Sequence, residues 1–143
     1  MPIELNRKPR PAEQALLVVL GIALTSACTT AARPTVPRPF ELWRGGDDGL
    51  TLRFADALET ALGASPLFVG SRGKQPRTLI VTIPNHLDWE DHGDRTRVAC
   101  TVRFPDRLDK PVGDVRGSCW EDELHDCVAQ VVRAAERASR DMQ

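Results

Sequence analysis

Tyrosine is absent from this chain of 143 residues, and three tryptophans and four phenylalanines make up its whole aromatic supply. An excess of either charge is lacking too: 19 Lys and Arg stand against 20 Asp and Glu. With neither a basic footprint nor a row of stacking rings, the chain lacks what a nucleic-acid binder uses, and no nucleic-acid partner is expected. No apolar run reaches the roughly 20 residues that a helix needs to cross a bilayer. The longest, Ala15 to Leu24 (ALLVVLGIAL), is about half of that. No G-x-S-x-G elbow, G-x-x-x-x-G-K phosphate loop or C-x-x-C pair occurs, so common signatures of hydrolases, nucleotide binders and zinc sites are missing. The chain is read as non-enzymatic and without a cofactor.

What is present begins at the N-terminus. Arg7, Lys8 and Arg10 precede the apolar run, and Thr25, Ser26, Ala27 and Cys28 follow it at once. Charged, apolar and small-residue regions in that order have the layout of a secretory signal. The stretch Leu24-Thr25-Ser26-Ala27-Cys28 resembles the lipobox of bacterial lipoproteins, although Thr25 stands where that motif usually has Leu. The resemblance implies cleavage before Cys28 and lipid, diacylglycerol and palmitate, on that cysteine. Thr29 rather than Asp at the next position implies the outer membrane, with the domain facing the periplasm. Each buried CH₂ adds about 0.8 kcal/mol, so several acyl chains hold a protein firmly where one does not. The membrane, through this N-terminal anchor, is one expected partner.

The expected organisation is a signal over residues 1–27, a lipidated cysteine with a Pro-rich tether over 28–39, and one α+β domain over 40–140. Without the signal, the 16 remaining basic residues face 18 acidic ones. The tether carries Pro34, Pro37 and Pro39 and no apolar periodicity. Extended at about 3.1 Å per residue, it would hold the domain roughly 35 Å from the lipid surface.

Within the domain, Phe40, Leu42 and Arg44 alternate with Glu41 and Trp43 as a strand. Leu50, Phe54, Leu58 and Ala61 recur at helical spacing, with Asp48 as cap and Gly63 and Pro66 as stop. Leu67 to Val69 reads as a short strand. One long strand is expected from Arg77 to Trp89, bent or placed at an edge by Pro84. Val98, Cys100, Val102 and Phe104 form the buried side of the next strand, while Arg97, Thr101 and Arg103 form its wet side. Val112 to Trp120 is a further strand. Leu124, Cys127, Val128, Val131, Ala135 and Ala138 then form one stripe of an amphipathic helix. A sheet with one wet face buries the other only if both helices cover the same side. The fold class is thus a small two-layer α+β sandwich, an antiparallel meander with two helices on one face.

This element order resembles the small domains of several envelope proteins, namely the amino-terminal domain of TolB and the lipoproteins of the curli-secretion and penicillin-binding-protein-activator type. The resemblance spans about Phe40 to Ser139 and rests on element order, with no signature motif. It implies a module that binds other envelope proteins and assigns no site residue.

With Cys28 assigned to lipid, Cys100, Cys119 and Cys127 remain, an odd number for an oxidising compartment. Cys119 with Cys127 is the first pairing; Cys100 with Cys127, or three reduced thiols, are the alternatives. The wet sheet face, with Arg97, Thr101, Arg103 and Arg116, is the expected interaction surface, and Trp120 on its parity is a candidate anchor. Core or rim packing is the default for Trp43, Trp89 and Trp120 alike. His86, Asp88, Glu90 and His92, in the stretch NHLDWEDHGD, are ligand types for a metal. Same-face strand neighbours lie nearly 7 Å apart, so three cannot meet one ion without a bulge. No metal is expected, and a metal- or ligand-handling protein using these four residues is the alternative to the interaction module.

Overall fold

The computed structural model describes residues 36–73, 75–106 and 110–142. The expected signal, Cys28 and most of the tether lie outside them. The elements are β1 (Arg38–Arg44), α1 (Gly49–Ala64), β2 (Phe68–Gly70), β3 (Leu79–Ile83), β4 (Asp88–His92), β5 (Arg95–Pro105), β6 (Pro111–Trp120) and α2 (Leu124–Asp141). The class is α+β, and the two helices bury one face of a six-stranded sheet.

The sheet is mixed rather than a plain meander, because β1 pairs in parallel with both β2 and β3. The pairs β3–β5, β4–β5 and β5–β6 are antiparallel. β1 begins two residues inside the stretch expected as tether, and Pro39 lies within it although β1 has a strand on each side. Arg38 donates its N–H to Leu67 on the β2 side, at 2.8 Å. Pro39 therefore turns its missing donor toward β3, whose pairing starts one residue later, at Phe40 with Leu79.

The long strand expected from Arg77 to Trp89 is interrupted. β3 and β4 both lie on the edge of β5 that β6 does not occupy, with Thr82 opposite Arg103 and Asp88 opposite Ala99. Six steps on one side thus span four on the other, so two extra residues bulge out between β3 and β4. Two is an even number, and side-chain parity survives the break. A Cβ at Gly45 would overlap the Pro84 carbonyl oxygen, so the bulge sits directly against the turn that follows β1.

α1 starts where it does because Asp48 accepts hydrogen bonds from the backbone N–H groups of Leu50 and Thr51, each at 3.0 Å. Its second carboxylate oxygen accepts from the Thr51 hydroxyl at 2.6 Å and pairs with His86 Nδ1 at 2.5 Å. The buried Thr51 hydroxyl in turn accepts from the Leu87 N–H at 3.0 Å. One helix cap therefore also holds the β3–β4 bulge. The buried side of α1 is Thr51, Phe54, Ala55, Leu58 and Leu62. Leu50 and Ala61, expected on it, lie at its margin, only partly buried.

α2 follows a 3-10 turn, Glu121–Glu123, and buries Cys127, Val128, Val131, Ala134, Ala135 and Ala138. It runs antiparallel above β6. Cys119 is bonded to Cys127, Gly117 lies against Gln130, and Gly113 faces the Ala138 methyl. The pairing of Cys100 with Cys127 does not form; Cys100 is a buried free thiol whose pKa burial pushes up. With Phe54, Phe104, Leu58 and Val131, it belongs to a core closed over the inner sheet face.

Two predictions follow from this packing. Replacing Cys119 and Cys127 together by Ala should lower unfolding free energy by about 2–3 kcal/mol, the chain-entropy value for so short a loop, in urea titrations. Hydrogen bonding to Asp48, opposed by burial and helped by the charges of Asp48 and Asp47, raises the pKa of His86. A raised histidine contributes stability in full below its unfolded pKa of about 6.5 and loses it as pH rises through the folded value. The urea midpoint of wild type should exceed that of His86→Ala most at pH 5.5, with the gap shrinking by pH 9. A gap constant over that range would contradict the linkage.

Candidate functional site

The helix-free face of the sheet is built by strand parity. Inward positions fill the core, which leaves Trp43, Thr82, Arg103 and Asp114 as one lateral row across β1, β3, β5 and β6, each opposite the next in register. Thr101 opposite Arg116 forms the next row toward the other end, and Arg97 opposite Trp120 lies two rows beyond it. All five expected interaction residues, Arg97, Thr101, Arg103, Arg116 and Trp120, are on this face.

Their surroundings differ. Arg97 donates to the Ser118 hydroxyl at 2.9 Å. Trp120 is half-buried, with the Arg95 guanidinium 4.5 Å above its ring and His92 edge-on at 5.9 Å. Arg95 also binds Asp122 at 2.7 Å and Glu123 at 3.2 Å, and its hydrogen bond holds the Asp122 carboxyl below the usual range. Trp120 is therefore already packed by its own chain and offers only part of its surface. Arg103, Arg116 and Asp114 make no ion pair with any described residue.

At one end of this face lies a groove of about 590 Å³, with Trp43, Pro84, Pro105 and Val112 among its walls and Arg103 and Asp114 beside them. The Thr82 hydroxyl lies buried at the same place with no hydrogen-bond partner among the described residues. Trp43 is 53% exposed and Trp89 64%, so the expectation of core or rim packing fails for both. Trp89 is on the core parity, opposite Val98, but neither helix extends over β4, whose five residues are all exposed. The sequence carried a signal for the groove: Trp43 falls on the parity of Glu41, opposite that of Phe40 and Leu42. Strand pairing, which sets Trp43 two strands from Arg103, was not readable.

The metal candidates are not brought together. His86 precedes β4 and turns to Asp48 and Asp47, at 2.5 and 3.9 Å. Asp88, Glu90 and His92 share one face of β4, where Glu90 and His92 approach to 3.3 Å. Among the described residues, no three His, Cys, Asp or Glu side chains converge as a metal site would need. The alignment of His86 with Asp88 and Glu90 on one continuous strand is thus corrected by the bulge.

No family model matches the chain. No curated protein matches it either. Among solved structures, it is similar to a minor lipoprotein from Acinetobacter baumannii, at 12% identity and a TM-score of 0.40, over 76% of this chain and 92% of that one.

Proposed function

We propose that this chain is a non-enzymatic, lipid-anchored accessory module that faces the periplasm from the outer membrane and binds a protein of an envelope complex. The observation that carries the reading is the helix-free face. It sets Arg103 and Asp114, which have no ion-pair partner among the described residues, in one row with a half-exposed Trp43 and Arg116 in the next row, and Trp and Arg are the residues over-represented where binding energy concentrates. Most of this wet face is polar, as expected of a surface that is stable alone and still open to a partner.

The anchoring part of the proposal rests on the Leu24–Cys28 lipobox. The Cys119–Cys127 bond is in keeping with an oxidising compartment. No described helix is long and apolar enough to cross a membrane. The metal-handling alternative gains no support from the separated His86, Asp88, Glu90 and His92.

A photo-crosslinking residue in place of Thr101, in the full-length protein in its own cells, should capture one defined envelope protein. Arg97→Glu with Arg116→Glu should cut the yield roughly tenfold, in line with the about 1.4 kcal/mol per tenfold change in affinity. Failure to capture any protein either from that position or from Val112, in the groove, would remove the binding reading. The anchor has a separate check. Cys28→Ser should move the protein from the membrane fraction to the soluble one, and unchanged fractionation would exclude lipid attachment at that residue.

A further inference from the structure

The groove at the Trp43 end of the sheet is more specific than the face around it. Its volume, about 590 Å³, falls within the roughly 300–1,000 Å³ range of binding clefts. It offers apolar walls from Trp43, Pro84, Pro105 and Val112, enough for one large apolar side chain. Two donors lie in the same row without acceptors. Arg103 has no carboxylate partner among the described residues, and the Thr82 hydroxyl opposite it is buried and unbonded. A buried hydroxyl left unbonded is destabilising, so an acceptor supplied from outside would relieve that penalty as well as add a bond. Arg103 and Arg116 flank the carboxylate of Asp114 on β5 and β6, while the other carboxylate nearby, Glu41 on β1, already accepts a hydrogen bond from Trp43 Nε1 at 3.3 Å, so the unpaired positive charge lies on the β5 side of the groove.

We infer that the groove is a docking site for an extended acidic–apolar segment of a partner polypeptide, with the apolar side chain beside Trp43 and Val112 and the carboxylate on Arg103 and Thr82. A guanidinium presents a planar fork to a carboxylate, and such bonds are about twice as strong as neutral ones. Asp114 works against this acid and makes the sign of the occupant testable. The inference rests on the proposed binding function and adds the chemistry of what is bound.

The probe is a set of octapeptides in which one Leu, Phe or Trp is followed by Asp, by Asn or by Lys. They are titrated against the full-length protein in detergent by fluorescence anisotropy. The Asp series should bind at least tenfold more tightly than the Asn series, and the Lys series least. Arg103→Gln and Trp43→Ala should each weaken the Asp series tenfold or more, and Thr82→Val by a smaller factor. Asp114→Asn should leave it as tight or tighten it, while Arg133→Gln, on the exposed side of α2, should change nothing. Equal binding of all three series, preference for Lys, or indifference to Arg103→Gln overturns the inference. Binding of decanoate with the same dependence on Arg103, in the absence of peptide binding, also overturns it, because the occupant would then be a lipid.

Crosslinkers at Val112, in the groove, and at Thr101, outside it, separate this inference from the reading beneath it. Capture from Thr101 without charge-dependent peptide binding removes the groove alone. Charge-dependent peptide binding with no capture from either position removes the proposed cellular function alone.

Discussion

Everything in this fold depends on covering one face of a sheet with very little aromatic material. Large rings fill a core quickly, and here only Phe40, Phe54, Phe68 and Phe104 contribute them. The remaining volume is closed by bringing backbone near backbone. α2 presents Ala134, Ala135 and Ala138 to the sheet, and β6 answers with Gly113 and Gly117, so the helix lies low over the strand. The Cys119–Cys127 bond fixes the first turn of the helix above the last residues of β6. At the other end, the single carboxylate of Asp48 caps α1, holds Thr51 and binds His86. The domain is thus tied twice across its two layers, once covalently and once by a hydrogen-bonded cap.

That arrangement decides which surface is left for function. Both helices spend their apolar stripes on the inner face, and their outer sides are charged and solvated. The opposite sheet face has no cover, and its strands are flanked by Pro84, Pro105 and Pro111 at the end where the groove forms. A rigid sheet presents such side chains at fixed spacing, so a partner meets a preformed surface and loses less freedom on binding.

Much of this was legible beforehand, and the failures have definable causes. Alternation at Val98, Cys100, Val102 and Phe104 placed a strand with a wet face, and the stripe from Cys127 to Ala138 placed a helix on the other side. Asp48 was readable as a cap because its side chain acts within three residues. The parallel pairing of β1 was not readable, since it joins Phe40 to Leu79 across 39 positions with no local mark. The bulge after Ile83 was missed for a subtler reason. Two extra residues keep alternation intact, so Leu87 and Trp89 continued the pattern while the chain left the sheet and returned. His86 was misplaced by the same event. Trp43 looked like rim packing, because a tryptophan on the wet parity gives no sign of what will stand beside it.

The two-residue excess between β3 and β4 has a consequence for how such a domain can change over generations. A residue inserted or deleted there would be taken up by the bulge itself, because β4 takes its two faces from the pairing of Trp89 with Val98 on β5 and not from continuity with β3. What the segment from Pro84 to Leu87 must keep is its hold on the first helix, through His86 on Asp48 and the Leu87 N–H on Thr51. The hairpin beyond it can lengthen, shorten or acquire new tips while the core, the cap and the uncovered face keep their geometry.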